Sequence, residues 1–427
     1  MKARSRFIVL GTFSLLLFSC ASYTDKSKAV RASLSAGLYD DALEKIEKSD
    51  LAKTDRDKVL YHMEKGMILY TAGRYASAVK DWAKASDRIE QLYTISISRQ
   101  ASSFAMNDSY ADYEGELHEK ILLPLMSALA YFANQEPDKA IVEIRRTYEL
   151  LKVINAEGNS KNTFSRDAFS HYLSGLIYES KHEWDSAIVE YRNALEIGAS
   201  NKKWMETLSL RPIVESLGRL AEFRGRQDVL SNLKKSHPDV SWTKHQSLME
   251  KGEVYVVYEA GKSPLKTPKD FVVPTGDTAV RISFPVFKES YYSSRGAEVF
   301  LDDKPMGRTV LVQDVGQLAQ QALNDRRFRD IVKLAARVIV KDQAARAAGR
   351  ALGPLAQIAT NVAGVVTETA DTRSWTSLPD SIQILRVPVP AHQEVRIRIR
   401  PDSGNPVEFK IRARPGEKKL IRARTFD

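Results

Sequence analysis

From about residue 29 to residue 249, apolar side chains recur with the 3.6-residue period of helices, in runs separated by Gly, Asn, Asp and Pro. Around "SHPDVSW" (236–242) the pattern changes to alternation, rich in β-branched and aromatic residues. "EVYVVYE" (253–259), "TAVRISFPVF" (278–287) and "GAEVFLDD" (296–303) read as strands, and "FLDDKPMGRTV" as a hairpin. Strands return in "SIQILRVPVP" (381–390), "EVRIRIRP" (394–401), "VEFKIRARP" (407–415) and "KKLIRART" (418–425). Between the two sets the helical period reappears. Asp314 stands where it caps a helix through "VGQLAQQALN", and residues 325–348 form another with basic residues throughout. The uncharged stretch 351–367 has only the minimum length of a membrane span. Its Pro354, Gln357, Thr360 and Asn361 favour a buried or groove-lying helix instead. The expected fold is α+β: a helical domain over 20–250, then a β-sandwich-like domain over 251–427 with a helical insertion at about 314–370.

The helical half repeats itself. In "KGMILYTAGRYASAVKDWAKA" (65–85), Gly66 is followed by Tyr75, Ala78, Trp82 and Ala85; in "SGLIYESKHEWDSAIVEYRNA" (174–194), Gly175, Trp184, Ala187, Tyr191 and Ala194 fall at the same offsets. This is the spacing of tetratricopeptide (TPR) repeats, in which two antiparallel helices approach closely where facing residues are small and aromatic rings fill the space between pairs. Weaker copies occupy 34–48 and 125–146. The equivalent alanines, Ala42, Ala78, Ala140 and Ala187, are 36, 62 and 47 residues apart, so the array is interrupted, chiefly around 95–118. The expected element is a TPR-like α-solenoid with a concave surface lined by the first helix of each pair. Candidate partner-binding positions in that groove are Met63, Met67, Tyr70, Tyr172 and Glu179; the larger apolar ones serve equally well as core between repeats.

In the last strands, alternation puts Val395, Ile397, Ile399, Phe409 and Ile411 on one face. The other face receives Arg396, Arg398, Arg400, Lys410, Arg412 and Arg414, with Arg422 and Arg424 expected on a third strand beside them. Like charges on paired strands repel. The stripe is therefore either a solvated outer face or an anion-binding surface for phosphate or carboxylate groups.

Composition adds location. Cys20 is the chain's one cysteine, which excludes an internal disulfide and a Cys/His zinc site. It follows a basic start (Lys2, Arg4, Arg6) and an uncharged run from Phe7 to Ser19, the layout of a signal peptide over 1–19. Leu17-Phe18-Ser19-Cys20 resembles the lipobox of bacterial lipoproteins, which implies that Cys20 is acylated and becomes the first residue of the mature chain, with palmitate among its lipids. The net charge is +10, and residues 253–427 hold 28 Lys+Arg against 20 Asp+Glu. For an exported protein this points to anionic lipid, peptidoglycan or acidic envelope proteins and away from nucleic acid. The seven histidines form no H-E-x-x-H, and phosphate loops and nucleophile elbows are absent from the sequence. No enzyme, metal or cofactor is expected.

Two segments, "DYEGELHEKILLPLMSALAYFANQEPDKAIVEIRR" (112–146) and "TETADTRSWTSLPDSIQILRVPVP" (367–390), together with the signal and layout, resemble a broad family of bacterial outer-membrane lipoproteins with a TPR-like N-terminal region and a β-rich C-terminal domain. The second carries Thr367, Glu368, Ala370, Asp371, Arg373, Ser374, Trp375 and Leu378 of that pattern. The resemblance implies a lipid-anchored protein of the outer membrane facing the periplasm, and implies no activity. Asp371, Arg373 and Trp375 read either as a salt-bridged joint pinning helix to sheet or as a partner site. The expected function is a non-catalytic scaffold that binds envelope proteins through the groove, supporting cell-wall synthesis. The alternative is an accessory to outer-membrane protein assembly or export.

Overall fold

Five times between residues 28 and 236 a helix ends, three residues turn the chain, and a second helix returns alongside. The pairs are α1 (Lys28–Ser35) with α2 (Tyr39–Lys48), α3 (Lys58–Thr71) with α4 (Tyr75–Ser98), α5 (Leu117–Ala133) with α6 (Pro137–Ala156), α7 (Ala168–Ser180) with α8 (Trp184–Ser200), and α9 (Arg211–Phe223) with α10 (Gln227–Ser236). The middle residue of each turn has positive φ: Gly37, Gly73, Gln135, His182 and Gly225. A short reversal that closes a helix in this way needs a left-handed residue. The computed structural model describes residues 23–98, 111–156, 167–200, 208–275, 278–288, 295–325, 343, 347 and 370–426. The signal sequence with Cys20, the centre of the expected interruption (99–110), most of 325–348 and all of 351–367 lie outside the described residues.

The repeat signature has a direct steric meaning. A Cβ on Gly66 would lie 2.3 Å from Nε1 of Trp82, and one on Gly175 would lie 2.3 Å from the ring of Tyr191. Both rings press directly against the backbone of the first helix, and the Trp82 indole N–H donates to the Met63 carbonyl at 3.1 Å. The fifth pair escaped the sequence reading because Leu230 stands where the others have alanine, and because the ring covering its Gly218 comes from Trp242, beyond the second helix.

Ten strands follow among the described residues: β1 (Gly252–Ala260), β2 (Lys266–Thr275), β3 (Thr278–Phe287), β4 (Ala297–Leu301), β5 (Lys304–Arg308), β6 (Val310–Asp314), β7 (Ser381–Val389), β8 (Glu394–Pro401), β9 (Val407–Arg412) and β10 (Lys418–Arg424). They form a four-stranded sheet ordered β10-β1-β7-β6, a second ordered β5-β4-β8-β9, and the separate β2–β3 hairpin. The two larger sheets share a core. Val254, Val256, Tyr258, Val387, Val389, Ile421 and Ala423 of the first meet Val299, Val395, Ile397 and Ile399 of the second. Asp314 caps the helix that begins at 315, accepting a bond from the Gln317 amide at 2.7 Å.

One strand departs from the expected order. β10 leaves β9 and runs parallel to β1 in the other sheet. Beside β9 it would have met Lys410 and Arg412 with its own Lys418, Arg422 and Arg424. Beside β1 it sets Lys418 opposite Glu253 and Arg424 opposite Glu259. Opposite charges across a strand pair attract and like charges repel, so the charge pattern selects β1.

Candidate functional site

The side of β1, β7 and β10 turned away from the second sheet faces the helices. Tyr255, Val257, Ile382, Ile384 and Leu420 share one apolar core with Met63, Met67, Tyr70 and Tyr172 of the solenoid. The five groove positions Met63, Met67, Tyr70, Tyr172 and Glu179 are all fully buried. The expectation that they form an open partner-binding surface is corrected: the concave surface exists, and the chain's own sheet fills it. Every residue of β1 is buried, since helices cover one face and a sheet covers the other.

Buried charge holds this junction together. Glu179 of α7 accepts bonds from Arg219 Nη2 at 2.7 Å, Arg386 Nη2 at 2.8 Å and the Tyr191 hydroxyl at 2.8 Å, with Lys418 Nζ at 3.5 Å. Arg386 also reaches Glu253 at 2.7 Å and Ser216 Oγ at 2.7 Å, and Lys418 reaches Glu253 at 2.7 Å. Burial alone would raise the Glu179 carboxyl; Arg219, Arg386 and Lys418 outweigh it and hold the group well below the usual carboxylate range. Glu253 is likewise opposed by burial but brought down to about 2, first by Arg386 and then by Lys418. Such a cluster persists in a dry interface only because each charge is paired and hydrogen-bonded.

A second cluster lies at the first repeats. The Tyr70 hydroxyl donates to Glu259 at 2.7 Å, and Arg422 donates to Glu259 at 2.9 Å and to the Tyr70 carbonyl at 2.9 Å. The Arg422 guanidinium lies 4.1 Å from the centre of the Tyr70 ring. Arg424 reaches the Ser377 carbonyl at 2.6 Å and Met67 Sδ at 3.3 Å. Arg422 is therefore buried and Arg424 half-buried against the helices, and their expected place in the outer basic stripe is corrected by the crossing of β10.

The segment 371–378 lies between these helices. Arg373 is held by Asp371 at 2.8 Å, Asp57 at 2.8 Å and the Ala111 carbonyl at 3.0 Å. Trp375 is buried, with its ring edge-on to Trp82 at 6.0 Å, and its amide donates to Glu119 at 2.6 Å. The amide and hydroxyl of Thr376 both donate to Glu64, at 2.7 and 2.9 Å. Asp371, Arg373 and Trp375 form a joint, and the elements it joins are the solenoid and the sheet. The alternative reading as a partner site is corrected by the burial of Arg373 and Trp375. Close by, Lys266 at the base of the β2–β3 hairpin pairs with Glu116. Glu119 accepts bonds from the Tyr113 hydroxyl at 2.5 Å and the Glu116 amide at 2.9 Å. Burial and then the Glu116 charge raise the Glu119 carboxyl to about 7, against the pull of Lys266 and these bonds.

Taken together, the solenoid brings Asp57, Glu64, Glu116, Glu119 and Glu179 to the junction, and the C-terminal half brings Lys266, Arg373, Arg386, Lys418, Arg422 and Arg424. Much of the basic surplus after residue 253 is thus matched inside the molecule. Glu253 and Glu259 were missed from sequence. The available signal was two acids six apart on one face of a strand otherwise too apolar to be exposed on either side.

No protein-family model and no curated protein sequence matches the chain. Among solved structures it is similar to MamA, at 17% identity over 48% of this chain and 90% of that one with a TM-score of 0.32. The apo form of RapI is similar at 12% identity over 48% of this chain and 50% of that one, with a TM-score of 0.37. A fragment of MamA from Desulfovibrio magneticus (residue 41 to its end) gives 16% identity over 49% and 90%, with a TM-score of 0.28. Likeness at this level says nothing of activity.

The basic stripe on the second sheet is largely occupied by neighbouring acids. Arg396 pairs with Asp303, Arg398 with Asp303 at 2.6 Å and Glu408 at 2.6 Å, Arg400 with Glu298, and Arg414 with Glu417 at 3.6 Å. Lys410 and Arg412 are exposed and have no acid within ion-pair distance among the described residues. Two of the seven histidines follow the repeat. His62 meets Asp81 at 2.8 Å and His171 meets Glu190 at 2.6 Å, each pair nineteen residues apart and each histidine four before its repeat's glycine. They tie first helix to second, and that shared offset was the overlooked signal. Among the described residues no group of three or more His, Cys, Asp or Glu could hold a metal, and no helix is long and apolar enough to cross a membrane.

Proposed function

We propose that this protein is a non-catalytic scaffold of the bacterial envelope, anchored by lipid on Cys20 to the outer membrane and facing the periplasm. The observation that carries the reading is the filled groove. A solenoid charge-matched to its own sheet forms one frame, and the surfaces it leaves for envelope partners are the outer helices α4, α6, α8 and α10 and the outer face of the second sheet. This favours a role beside the cell-wall synthesis machinery over an export accessory, because a client-receiving groove is already taken. Peptidoglycan or anionic lipid would meet the molecule at Lys410 and Arg412, the cations of the stripe without acidic partners among the described residues.

The experiment is twofold. Radiolabelled palmitate should enter the wild-type chain and not Cys20→Ala, and the label should fractionate with outer membrane. Site-specific photo-crosslinkers on α6 and α8 should then trap a peptidoglycan synthase or its regulators. Crosslinks confined to outer-membrane barrel or secretion subunits would favour the export alternative. An unlabelled wild-type chain would overturn the anchor.

A further inference from the structure

The second sheet has two edges, and they are built differently. At β5 the edge is guarded: Lys304, Pro305 and Arg308 line it, Gly307 has φ of 134°, and the pairing of β4 with β5 is broken by a bulge at Val299/Phe300. Proline and bulges keep an edge strand from recruiting another strand, and charges do so unless the incoming strand matches them. At β9 the register with β8 runs unbroken over six pairs, the strand contains no proline or glycine, and among the described residues nothing pairs with its outer side.

The direction of the β9 backbone follows from its neighbour. The Arg396 amide donates to Asp302 Oδ1 at 2.8 Å and its carbonyl accepts from the Asp302 amide at 2.9 Å, so Arg396 spends both groups on the side away from β9. In an antiparallel pair the residue opposite, Lys410, is then in a non-hydrogen-bonded pair and turns its own N–H and C=O outward. By the two-residue period, Glu408 and Arg412 do the same. The Arg412 carbonyl is already taken by Lys419 Nζ at 2.7 Å. The open edge therefore offers Glu408 and Lys410 in full and the Arg412 amide alone.

The sequence along that edge, Val407-Glu408-Phe409-Lys410-Ile411, is complementary to itself when reversed. We propose that β9 pairs with β9 of a second copy of this chain, antiparallel, about a two-fold axis through Phe409. In that register Glu408 of each copy lies opposite Lys410 of the other, with both residues turning their backbone groups into the new ladder. On the core face Phe409 meets Phe409 and Val407 meets Ile411, covering Val407, which is 37% exposed in the single chain. At the ends Arg412 falls opposite Pro406, which has no N–H to donate, just where the Arg412 carbonyl is already engaged. Moving the axis to Lys410 would set two lysines face to face, so charge fixes the register. The result is one sheet of eight strands shared by two copies, an isologous interface that closes on itself.

Sedimentation velocity of the full chain in detergent, across a concentration series, tests this. Wild type should dimerise. Lys410→Glu or Glu408→Lys, each of which places like charges opposite one another twice, should weaken the dimer about tenfold or more. The double variant Glu408→Lys/Lys410→Glu restores both opposite-charge pairs and should regain wild-type association. Independently, Phe409→Cys should form a disulfide-linked dimer under mild oxidation, because a non-hydrogen-bonded antiparallel pair brings its Cα atoms within disulfide range. Four outcomes would overturn the proposal: a wild-type chain that stays monomeric, a dimer indifferent to charge reversal, a double variant that fails to recover, or slow exchange of the Glu408 and Lys410 amides in a monomeric chain, which would mean that another segment covers the edge.

Discussion

Replacing Glu179 by Gln keeps the shape of the side chain and removes its charge. In the wild-type junction Glu179 and Glu253 oppose Arg219, Arg386 and Lys418, all five at or below about a tenth exposed on their side chains. After the substitution Glu253 alone faces three cations, and one amide oxygen replaces an acceptor that served Arg219, Arg386 and Tyr191. Breaking a buried pair from one side costs about 3–5 kcal/mol, because the remaining charge is left without compensation. An unfolding entropy of about 2.1 cal/mol/K per residue, over the 427 residues of the chain, gives about 0.9 kcal/mol/K. The melting temperature should then fall by about 3–6 °C if helices and sheet unfold together. The assay is thermal unfolding at pH 7, followed both by helical circular dichroism and by tryptophan fluorescence. Arg398→Gln on the outer sheet serves as reference, since exposed pairs contribute only about 0.2–1 kcal/mol. A Glu179→Gln protein that melts with the reference would refute the reasoning, because the cluster would then contribute no more than a surface ion pair. Coincident shifts of both probes would show that the helices unfold together with the joint around Trp375.

Acid should weaken this junction in a defined window. Glu179 and Glu253 titrate below their unfolded value of 4.5, so their stabilisation is present above pH 4.5 and is lost as pH falls towards about 2, which acid titration of wild type against Glu253→Gln would show. Glu119 has the opposite sign: raised to about 7, it binds its proton more tightly in the folded state and weakens the fold by up to about 3 kcal/mol as pH rises from 4.5 to 7. Glu119→Gln should flatten that slope in urea titrations at pH 5 and pH 8. Gly175→Ala should cost about 1–3 kcal/mol in urea unfolding, since the Tyr191 ring cannot retreat without losing its bond to Glu179. Trp375→Ala should cost about 3–5 kcal/mol by the same measurement, and a change below 1 kcal/mol would remove Trp375 from the joint.

Local periodicity made the elements legible, and it made the repeats legible wherever a glycine met a ring, as at Gly66 with Trp82 and Gly175 with Tyr191. The same reading placed β10 beside β9, because adjacency in sequence usually means adjacency in a sheet. What moved it was an attraction to β1, whose carboxylates are distant in sequence. The groove failed as a prediction for a related reason. Tyr70 and Glu179 have the character of contact residues, and they are contact residues, but their partners Glu259, Arg386, Lys418 and Arg422 belong to the same chain. Pattern along the sequence identifies a face that needs covering; it carries no information about which segment covers it.

The crossing of β10 also sets the order in which the molecule can be completed. Bonds such as that from Arg422 to the Tyr70 carbonyl, 352 residues apart, close only after β10 has emerged. Contacts this distant in sequence form slowly, since the loop between them must be ordered first. Until strand β10 arrives, the concave side of the helices is an acidic, partly apolar trough, and the carboxylates of β1 face it with the wrong sign. Closing that trough with β10 makes stability conditional on synthesis through Arg424, since a chain interrupted before Lys418 leaves Glu259 without Arg422 at the centre of the junction. The fold thereby distinguishes a chain that has reached β10 from one that stops short of it.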